Sequence, residues 1–276
     1  MSLAGVAKET LSICERGVYV VDGARVEIGP LIAAAVDGTT LFEPDDFATL
    51  LRVGRPGARP RVEVVAEAAP VAAAQRLVVD EGERRVVALN FASAKNPGGG
   101  FLRGAKSQEE DLARCSALYV CELTQRAYYD ANRECGSMLY TDHVLHSPEV
   151  PFFRDESLDL LASPFTASVV TAPAPNAGEA LRNGRETRGD VARALDHRAG
   201  AVLEVMRAKG HRVLVLGAWG CGVFRNEPAA VADAFARWLE DQRFEGAFDR
   251  VVFAVKERGG AEVNVAPFRG RFEGWA

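Results

Sequence analysis

A triple glycine followed closely by two glutamates is the part of this sequence best suited to chemistry. The residues that carry the pattern are Asn96, Gly98, Gly99, Gly100, Gln108, Glu109 and Glu110. Glycines lack a Cβ and let the backbone approach a ligand closely, and a carboxyl group can donate or accept the proton of a reacting bond. The triple glycine by itself is equally typical of a flexible surface loop.

The acidic run also has an explanation that involves no chemistry. Ser107 and Glu110 have the spacing of a capping box, in which Ser107 begins a helix and Glu110 bonds back to it. Glu109, Glu110 and Asp111 would also place negative charge in the first helical turn, where the helix dipole stabilises it. From these residues alone, helix capping is the favoured interpretation of Glu110.

A second glycine-rich loop, residues 217–228, follows a short apolar run that ends at Leu216. A strand, a glycine turn and a helix start together form a typical cradle for a diphosphate. The glycine order is not that of a dinucleotide-binding Rossmann loop, and no P-loop motif occurs. A tight turn with Asn226 as a helix N-cap explains the same residues equally well.

The elements around both loops alternate between strand and helix patterns. Strands are predicted at 61–65, 85–91, 168–172, 211–218 and 250–255, and helices at 68–77, 109–132, 189–208 and 228–239. This alternation predicts an α/β fold with a mixed, largely parallel central sheet and helices on both faces. In such sheets ligands bind at the carboxyl ends of the strands, where both glycine loops fall.

Residues 1–60 are predicted to form an N-terminal extension of helix and strand that packs on the core. A helix is expected over about residues 2–15, with strands near 18–21 and 24–28. The stretch 54–60, rich in Gly, Pro and Arg, marks the predicted boundary. Residues 61–276 are then predicted to form the core domain, which contains both glycine loops.

The overall charge excludes one class of function. The 276 residues include 33 Lys and Arg and 38 Asp and Glu, which gives a net charge of −5. A non-specific DNA coat needs clustered positive charge, so direct DNA binding is not expected. An anionic ligand can still bind through backbone N–H groups.

The sequence also lacks the patterns of a membrane span, a signal peptide and a metal-binding site. No apolar run approaches the ~18 residues of a membrane span, and the first residues do not have the pattern of a signal peptide. The five cysteines lack a Cys-x-x-Cys pair and the four histidines lack metal-site spacing. We therefore expect a cytoplasmic protein with no membrane association, metal or cofactor.

The first motif resembles the signature of the poly(ADP-ribose) glycohydrolases, in which Gln-Glu-Glu follows a triple glycine after a short spacer. The spacer here has seven residues, 101–107, and the flanking stretches 89–94 and 112–119 resemble the bacterial-type members. The resemblance extends over about residues 60–256 and includes 169–176, which would place Asn176 at the same rim. It implies a macrodomain-like fold, the fold that binds ADP-ribose.

The resemblance implies hydrolysis of the ribose–ribose O-glycosidic bonds of poly(ADP-ribose), with ADP-ribose released from chain termini. Neighbouring helical residues point about 100° apart. Glu109 and Glu110 therefore cannot flank the bond as the two carboxylates of most glycosidases do. Glu110 is expected to be the general acid/base, and Glu109 is expected to position the ribose.

The remaining site residues follow from the same resemblance. Asn96, Gly98, Gly99, Gly100 and Gln108 are expected to bind substrate from the first loop. The second loop is expected to hold the diphosphate, and its contact residues are Gly220, Cys221, Gly222, Val223 and Phe224. Trp219 and Phe101, which flank the loops, are assigned to packing rather than to stacking on adenine.

Two other functions fit the same fold. A macrodomain that binds ADP-ribose without cleaving it needs the glycine loops but not the Gln-Glu-Glu triplet. An enzyme that removes the last ADP-ribose from a protein side chain shares the ligand but attacks a different bond. The expected partners are poly(ADP-ribose) and poly-ADP-ribosylated proteins, with ADP-ribose as product.

Overall fold

The computed structural model describes residues 1–50, 57–257 and 262–275. The strands are β1 (Val18–Val21), β2 (Ala24–Glu27), β3 (Thr40–Phe42), β4 (Arg61–Ala66), β5 (Val86–Phe91), β6 (Val144–Arg154), β7 (Leu160–Ala172), β8 (Val213–Leu216) and β9 (Arg250–Val255). The helices are α1 (Leu3–Arg16), α2 (Gly29–Gly38), α3 (Phe47–Leu50), α4 (Pro70–Gln75), α5 (Gln108–Cys115), α6 (Leu118–Glu122), α7 (Arg126–Glu134), α8 (Ala177–Asn183), α9 (Arg188–Ala208), α10 (Pro228–Glu240) and α11 (Val265–Arg271). A π-helical turn, Arg76–Asp80, continues α4, and short 3-10 turns lie at Pro44–Asp46, Phe101–Arg103 and Gln242–Phe244.

Seven strands form one mixed sheet in the order β3-β6-β7-β5-β8-β9-β4. The five strands from β7 to β4 are parallel to one another, whereas β3, β6 and β7 pair antiparallel. Strands β1 and β2 form a separate hairpin. The predicted α/β fold, with a mixed and largely parallel sheet, is confirmed.

Helices cover both faces of this sheet. Side chains alternate between the two faces of a strand, so Val87 and Leu89 of β5 pack with α9 and α10 on one face. Val86 and Ala88 pack with α4, α5 and α6 on the other face. The central strands are apolar on both sides, as parallel strands between two helical layers must be.

The region predicted as one helix over 109–132 is three helices, α5, α6 and α7. Ser116 ends α5 in an extended conformation and forms an isolated bridge to Phe152 of β6. Its hydroxyl turns back to the Leu112 carbonyl at 2.7 Å. Tertiary pairing with the sheet therefore breaks the helical pattern, and the break directs α6 beneath the first glycine loop.

The N-terminal residues pack directly against the first glycine loop. Helix α1 packs against the turn Phe101–Arg103. The contact is close at Gly104, the residue after this turn, because a Cβ added there would be 3.0 Å from the Ala4 nitrogen. The Thr10 hydroxyl donates to the Arg114 carbonyl at 2.8 Å. Strand β3 joins the edge of the central sheet. The division of the chain near residue 60 stays a prediction, and part of its boundary stretch lies outside the described residues.

Two buried histidines, His146 and His211, face each other with their Nε2 atoms 2.8 Å apart. Burial lowers the pKa of His146 to about 3, helped by the neighbouring His211 and Lys209, and burial also lowers the pKa of His211. Both rings are therefore neutral in the folded protein at pH 7.

In the described residues, no helix is long and apolar enough to cross a membrane.

The histidine pair predicts a loss of stability in mild acid. The unfolded chain binds a proton at each histidine below about pH 6.5, whereas folded His146 does not until about pH 3. The stabilisation is therefore complete above pH 6.5 and decreases as the pH falls towards 3. The free energy of unfolding of the wild-type protein should be smaller at pH 5 than at pH 7. We expect urea unfolding to show that His146→Gln reduces this difference by about 2 kcal/mol. An unchanged difference would contradict this assignment.

Candidate active site

Three loops meet at one edge of the sheet, because they follow three adjacent parallel strands. Strands β7, β5 and β8 lie side by side, and Phe91 at the end of β5 is level with Ala172 at the end of β7. The loops are residues 173–176 after β7, 92–107 after β5, and 217–227 after β8. The structure thus brings the two glycine-rich loops together, with the loop that contains Asn176 beside them.

The triple glycine curls around buried carboxylates. Gly98 and Gly99 have φ angles of 60° and 57°, in the left-handed region that favours glycine. The Gly98 N–H donates to Glu122 at 2.7 Å, and the Gly100 N–H donates to Glu110 at 2.8 Å. A Cβ on Gly99 would lie 2.5 Å from Glu110 Oε1 and 2.6 Å from Glu109 Oε2. Only glycine fits there while both carboxylates keep their positions.

Glu110 does not form the capping box that its spacing suggests. Ser107 is the N-cap of α5, but its side chain accepts no backbone hydrogen bond. Its hydroxyl instead donates to the Glu110 carboxylate, whose other oxygen accepts from Gly100. The capping interpretation is therefore wrong, because the carboxylate turns towards the glycine loop. Glu110 is only 6% exposed, which is unusual for a first-turn glutamate.

Glu109 is the more deeply buried of the two neighbours, with 3% of its surface exposed. Its Oε2 accepts from the Ser93 N–H at 2.8 Å, while its Oε1 is buried without a hydrogen-bond partner among the described residues. Burial raises the pKa of Glu109 well above its usual value, and the nearby Glu122 and Glu110 add to the rise. Burial therefore favours the protonated form of Glu109, and its Oε1 is the oxygen left without a protein partner among the described residues.

Gln108 and Asn96 occupy different positions in the first loop. The Gln108 amide accepts from the Phe91 N–H at 2.8 Å and donates to the Leu89 carbonyl at 2.7 Å. It therefore fixes the start of α5 to the end of β5. Asn96 is exposed, and its carbonyl closes the tight turn by accepting from Gly99 at 3.0 Å. Substrate binding by these two residues stays a prediction.

A third glutamate, Glu122 at the end of α6, belongs to the same cluster and was missed in the sequence. It is fully buried and accepts from Asn90 Nδ2 at 2.8 Å as well as from Gly98. Thr171 donates to it at 3.4 Å. One feature of the sequence pointed to a buried polar partner: Asn90 and Thr171 are polar residues in otherwise apolar strands. The parallel register of β5 and β7 places them opposite each other.

The second loop leaves the sheet through two closely packed glycines. A Cβ on Gly217 would lie 2.4 Å from the Ala254 carbonyl oxygen and 3.0 Å from the ring of Phe91. Gly220 has a φ of 73°, and a Cβ there would lie 2.4 Å from Asn226 Nδ2. Asn226 is not a helix N-cap, because its side-chain amide donates to Pro175 at 2.8 Å and α10 begins from Glu227.

The outer residues of the second loop differ in exposure. Val223 is 73% exposed, whereas Phe224 is half-buried with its ring centroid 6.0 Å from that of Tyr140. Gly222 accepts from the Arg225 N–H and closes the turn. Burial raises the pKa of Cys221 to about 12, so its thiol is protonated and is not a nucleophile. Tyr140 was missed in the sequence.

The third loop is held from below by a buried arginine. Arg198 of α9 donates to the Pro173 carbonyl at 2.9 Å and pairs with Asp142 at 2.9 Å. Asn176 caps α8 by accepting from the Glu179 N–H. Trp219 and Phe101 are both fully buried, which agrees with packing rather than stacking on a ligand.

The charges separate the roles of the two glycine loops. No lysine or arginine among the described residues bonds to Glu109, Glu110 or Glu122, so no cation compensates the carboxyl groups beside the first loop. The second loop carries no acidic residue before Glu227 and presents glycine backbone. It therefore offers the better position for an anion.

A mixed α/β sheet with buried glutamates against a glycine loop is the arrangement expected of a glycoside hydrolase on a macrodomain-like fold. The chain belongs to the microbial-type poly(ADP-ribose) glycohydrolases, because the model of that family's catalytic domain matches residues 7–155, more than half of the chain. Members of this family are glycosidases that hydrolyse poly(ADP-ribose). A search of curated proteins finds no match for this chain.

Solved structures of bacterial enzymes are similar over nearly the whole chain. Poly(ADP-ribose) glycohydrolase from Thermomonospora curvata is 44% identical, with a TM-score of 0.91, and the match covers 98% of this chain and 99% of that one. A second structure of that enzyme has the inhibitor ADP-HPD bound. The enzyme from Deinococcus radiodurans, in complex with ADP-ribose, is 43% identical with a TM-score of 0.81 and covers 89% of this chain and 98% of that one.

Proposed function

We propose that this protein hydrolyses the ribose–ribose O-glycosidic bonds of poly(ADP-ribose) and releases ADP-ribose from chain termini, with Glu110 as the general acid/base. The observation that carries the proposal is the Glu110 carboxylate, which the glycine loop and Ser107 hold at the ligand edge of the sheet. The similar structures bound to ADP-ribose and to ADP-HPD support the choice of ligand.

The reaction needs one carboxyl group and one water molecule. Protonated Glu110 gives its proton to the leaving ribose oxygen while the bond from that oxygen to the anomeric carbon breaks, which leaves an oxocarbenium-like centre. The Glu110 carboxylate then takes a proton from water as the water oxygen bonds to the same carbon. Glu110 ends in its starting form, and the net change is the addition of water.

Glu109 positions the ribose in this mechanism. Its Oε2 is held by the Ser93 N–H, so the unpartnered Oε1 is the atom available to a ribose hydroxyl. A protonated carboxyl can donate that hydrogen bond without placing a negative charge beside Glu110. The backbone at Gly98, Gly99 and Gly100 then limits how far the sugar can move.

The second loop holds the diphosphate in this proposal. Backbone groups at Gly220, Cys221 and Gly222 approach it, while Val223 and Phe224 pack on it and on the adjacent ribose. The exposure of Val223 and the half-buried ring of Phe224 support this arrangement. Asn96 and Gln108 complete the substrate contacts from the first loop.

We also infer where the protein works and on what. All five cysteines are free, which suits a reducing compartment such as the cytoplasm. The net charge of −5 suits recognition of a terminal ADP-ribose by shape and backbone contacts rather than binding to DNA. Poly-ADP-ribosylated proteins are the proposed partners, and the mechanism calls for no cofactor or metal.

The product formed from purified poly(ADP-ribose) tests the proposed bond. Cleavage between riboses gives ADP-ribose on chromatography, cleavage of the diphosphate gives phosphoribosyl-AMP, and binding alone gives no product. Release from termini leaves long polymer present while ADP-ribose accumulates, whereas internal cleavage produces short oligomers first. Phosphoribosyl-AMP or an absence of product would overturn the proposal, and early oligomers would overturn its terminal preference.

Gly220→Ala tests the second loop as the diphosphate site. The new Cβ would lie 2.4 Å from Asn226 Nδ2 and 2.5 Å from the Ala174 side chain, so the loop must shift. We expect calorimetry to show at least about tenfold weaker ADP-ribose binding, which corresponds to about 1.4 kcal/mol. Gly184→Ala is the matched control, with a similar φ of 67° but no atom within 4 Å. Equal binding by the two variants would contradict the assignment.

A further inference from the structure

We propose that Glu122 is a positioning residue of this active site: its carboxylate holds Gly98 beneath the ligand and keeps Glu109 in the protonated form that donates to the ribose. The proposal rests on the proposed function, because it assigns Glu109 to the ribose. It adds a residue outside the Gln-Glu-Glu motif, on a different helix.

Glu122 connects the glycine loop to the sheet beneath it. It is fully buried at the end of α6, and its oxygens accept from Gly98 in the loop, Asn90 in β5 and Thr171 in β7. Among the described residues it is the side chain that holds the Gly98 N–H. The position of the triple glycine above Glu110 therefore depends on this carboxylate.

Glu109 and Glu122 are buried near each other, and no lysine or arginine in the described part of the chain pairs with either carboxyl group. The groups that face them are Glu110 from α5, Tyr119 from α6, and Tyr128 and Tyr129 from α7. Burial raises the pKa of all three tyrosines, so they remain neutral. Two carboxylates in such surroundings cannot both be charged at low cost, and they retain a proton between them.

The hydrogen bonds decide which of the two carries the proton. Glu122 accepts from three donors, which stabilise its charged form, whereas Glu109 accepts from one and has an unpartnered oxygen. Burial raises the pKa of both carboxyl groups. The larger number of donors therefore places the charge on Glu122 and the proton on Glu109, and the charge of Glu122 helps to retain that proton.

Glu122→Gln removes this charge and preserves the packing. The glutamine oxygen can accept from Gly98, and its amide can donate to Asn90 once the Asn90 side-chain amide flips. That flip is available because Asn90 Oδ1 has no partner among the described residues. The substitution therefore separates the electrostatic role of Glu122 from its role in holding the loop.

The test measures ADP-ribose binding and poly(ADP-ribose) hydrolysis as functions of pH. In the wild-type protein we expect both to weaken at alkaline pH, when Glu109 loses its proton and a negative charge forms beside Glu110 in addition to that of Glu122. In Glu122→Gln, Glu109 ionises more easily. We therefore expect the decline of binding and hydrolysis at alkaline pH, the alkaline limb of the pH profile, to move to lower pH by about one unit or more. An unmoved limb would overturn the proposal.

Two control variants keep the result specific. Thr171→Val removes one hydrogen bond to Glu122 but leaves its charge, and Glu245→Gln removes an exposed carboxylate far from the site. Neither is expected to move the limb to lower pH, and an equal movement in either would overturn the proposal. If the wild-type protein binds ADP-ribose without cleaving polymer, the proposed function is wrong. The pH dependence of ADP-ribose binding in Glu122→Gln still tests the role of Glu122 in that case.

A measurement on the wild-type protein covers the case in which Glu122→Gln fails to fold. Carbon-13 NMR of glutamate-labelled protein should show a carboxyl group still protonated at pH 7, and its signal should disappear in Glu109→Gln. The absence of such a carboxyl group at pH 7 would overturn the proposal without any change at Glu122.

Discussion

Glu110→Gln should lower the turnover of poly(ADP-ribose) by at least about 10³-fold while ADP-ribose binding stays within about threefold of wild type. The amide can still accept from Gly100, so the loop retains its shape. It cannot give a proton to the leaving ribose or take one from water. Polymer hydrolysis and calorimetric binding of ADP-ribose, measured on the same preparation, give both numbers.

The stability of the same variant separates catalysis from capping. Because Glu110 bonds to the glycine loop rather than to the N-cap backbone, we expect the melting temperature of Glu110→Gln to remain within a few degrees of wild type. Glu245→Gln, at an exposed position, controls for loss of a negative charge. Substantial remaining turnover would refute the acid/base assignment, and loss of folding would return Glu110 to a structural role.

Gly99→Ala is expected to lower activity strongly, although less than the loss of Glu110. Its Cβ would lie 2.5 Å from Glu110 Oε1 and 2.6 Å from Glu109 Oε2, so both carboxylates must move. The left-handed backbone at this position adds about 1–2 kcal/mol of strain for any residue with a Cβ. We expect at least about 10²-fold lower turnover, measured by ADP-ribose release.

A glycine elsewhere in the chain isolates the effect of the displaced carboxylates. Gly82 has a φ of 69°, but a Cβ added there would meet no atom within 4 Å, so Gly82→Ala carries the same backbone strain without the collision. We expect Gly82→Ala to lose stability and keep its turnover. Equal losses of activity in the two variants would show that strain alone explains Gly99→Ala.

The central strands could be predicted from the sequence because their local pattern and their environment agree. Strands β5, β8 and β9 lie between two helical layers, so almost every residue in them is apolar. Strand β6 escaped prediction for the opposite reason. It contains Pro148 and Pro151, and its pairing with β7 shifts register between Ser147 and Val150. Prolines and a bulge hide a strand from pattern analysis.

The candidate site was predictable where it is continuous in sequence. Glu109, Glu110 and the triple glycine lie within one loop and one helix start, and the structure places them in contact. Glu122 and Tyr140 reach the site only through tertiary structure. The break at Ser116 brings α6 under the loop, and a predicted continuous helix gave no reason to place Glu122 there.

Incubation of automodified, poly-ADP-ribosylated protein with the wild-type chain and with Glu110→Gln tests the central claim most directly. The account predicts that the wild-type protein releases free ADP-ribose and leaves the last unit on the modified protein, while Glu110→Gln binds and releases almost none. Binding without release by the wild-type protein, or removal of the protein-linked unit, would contradict it.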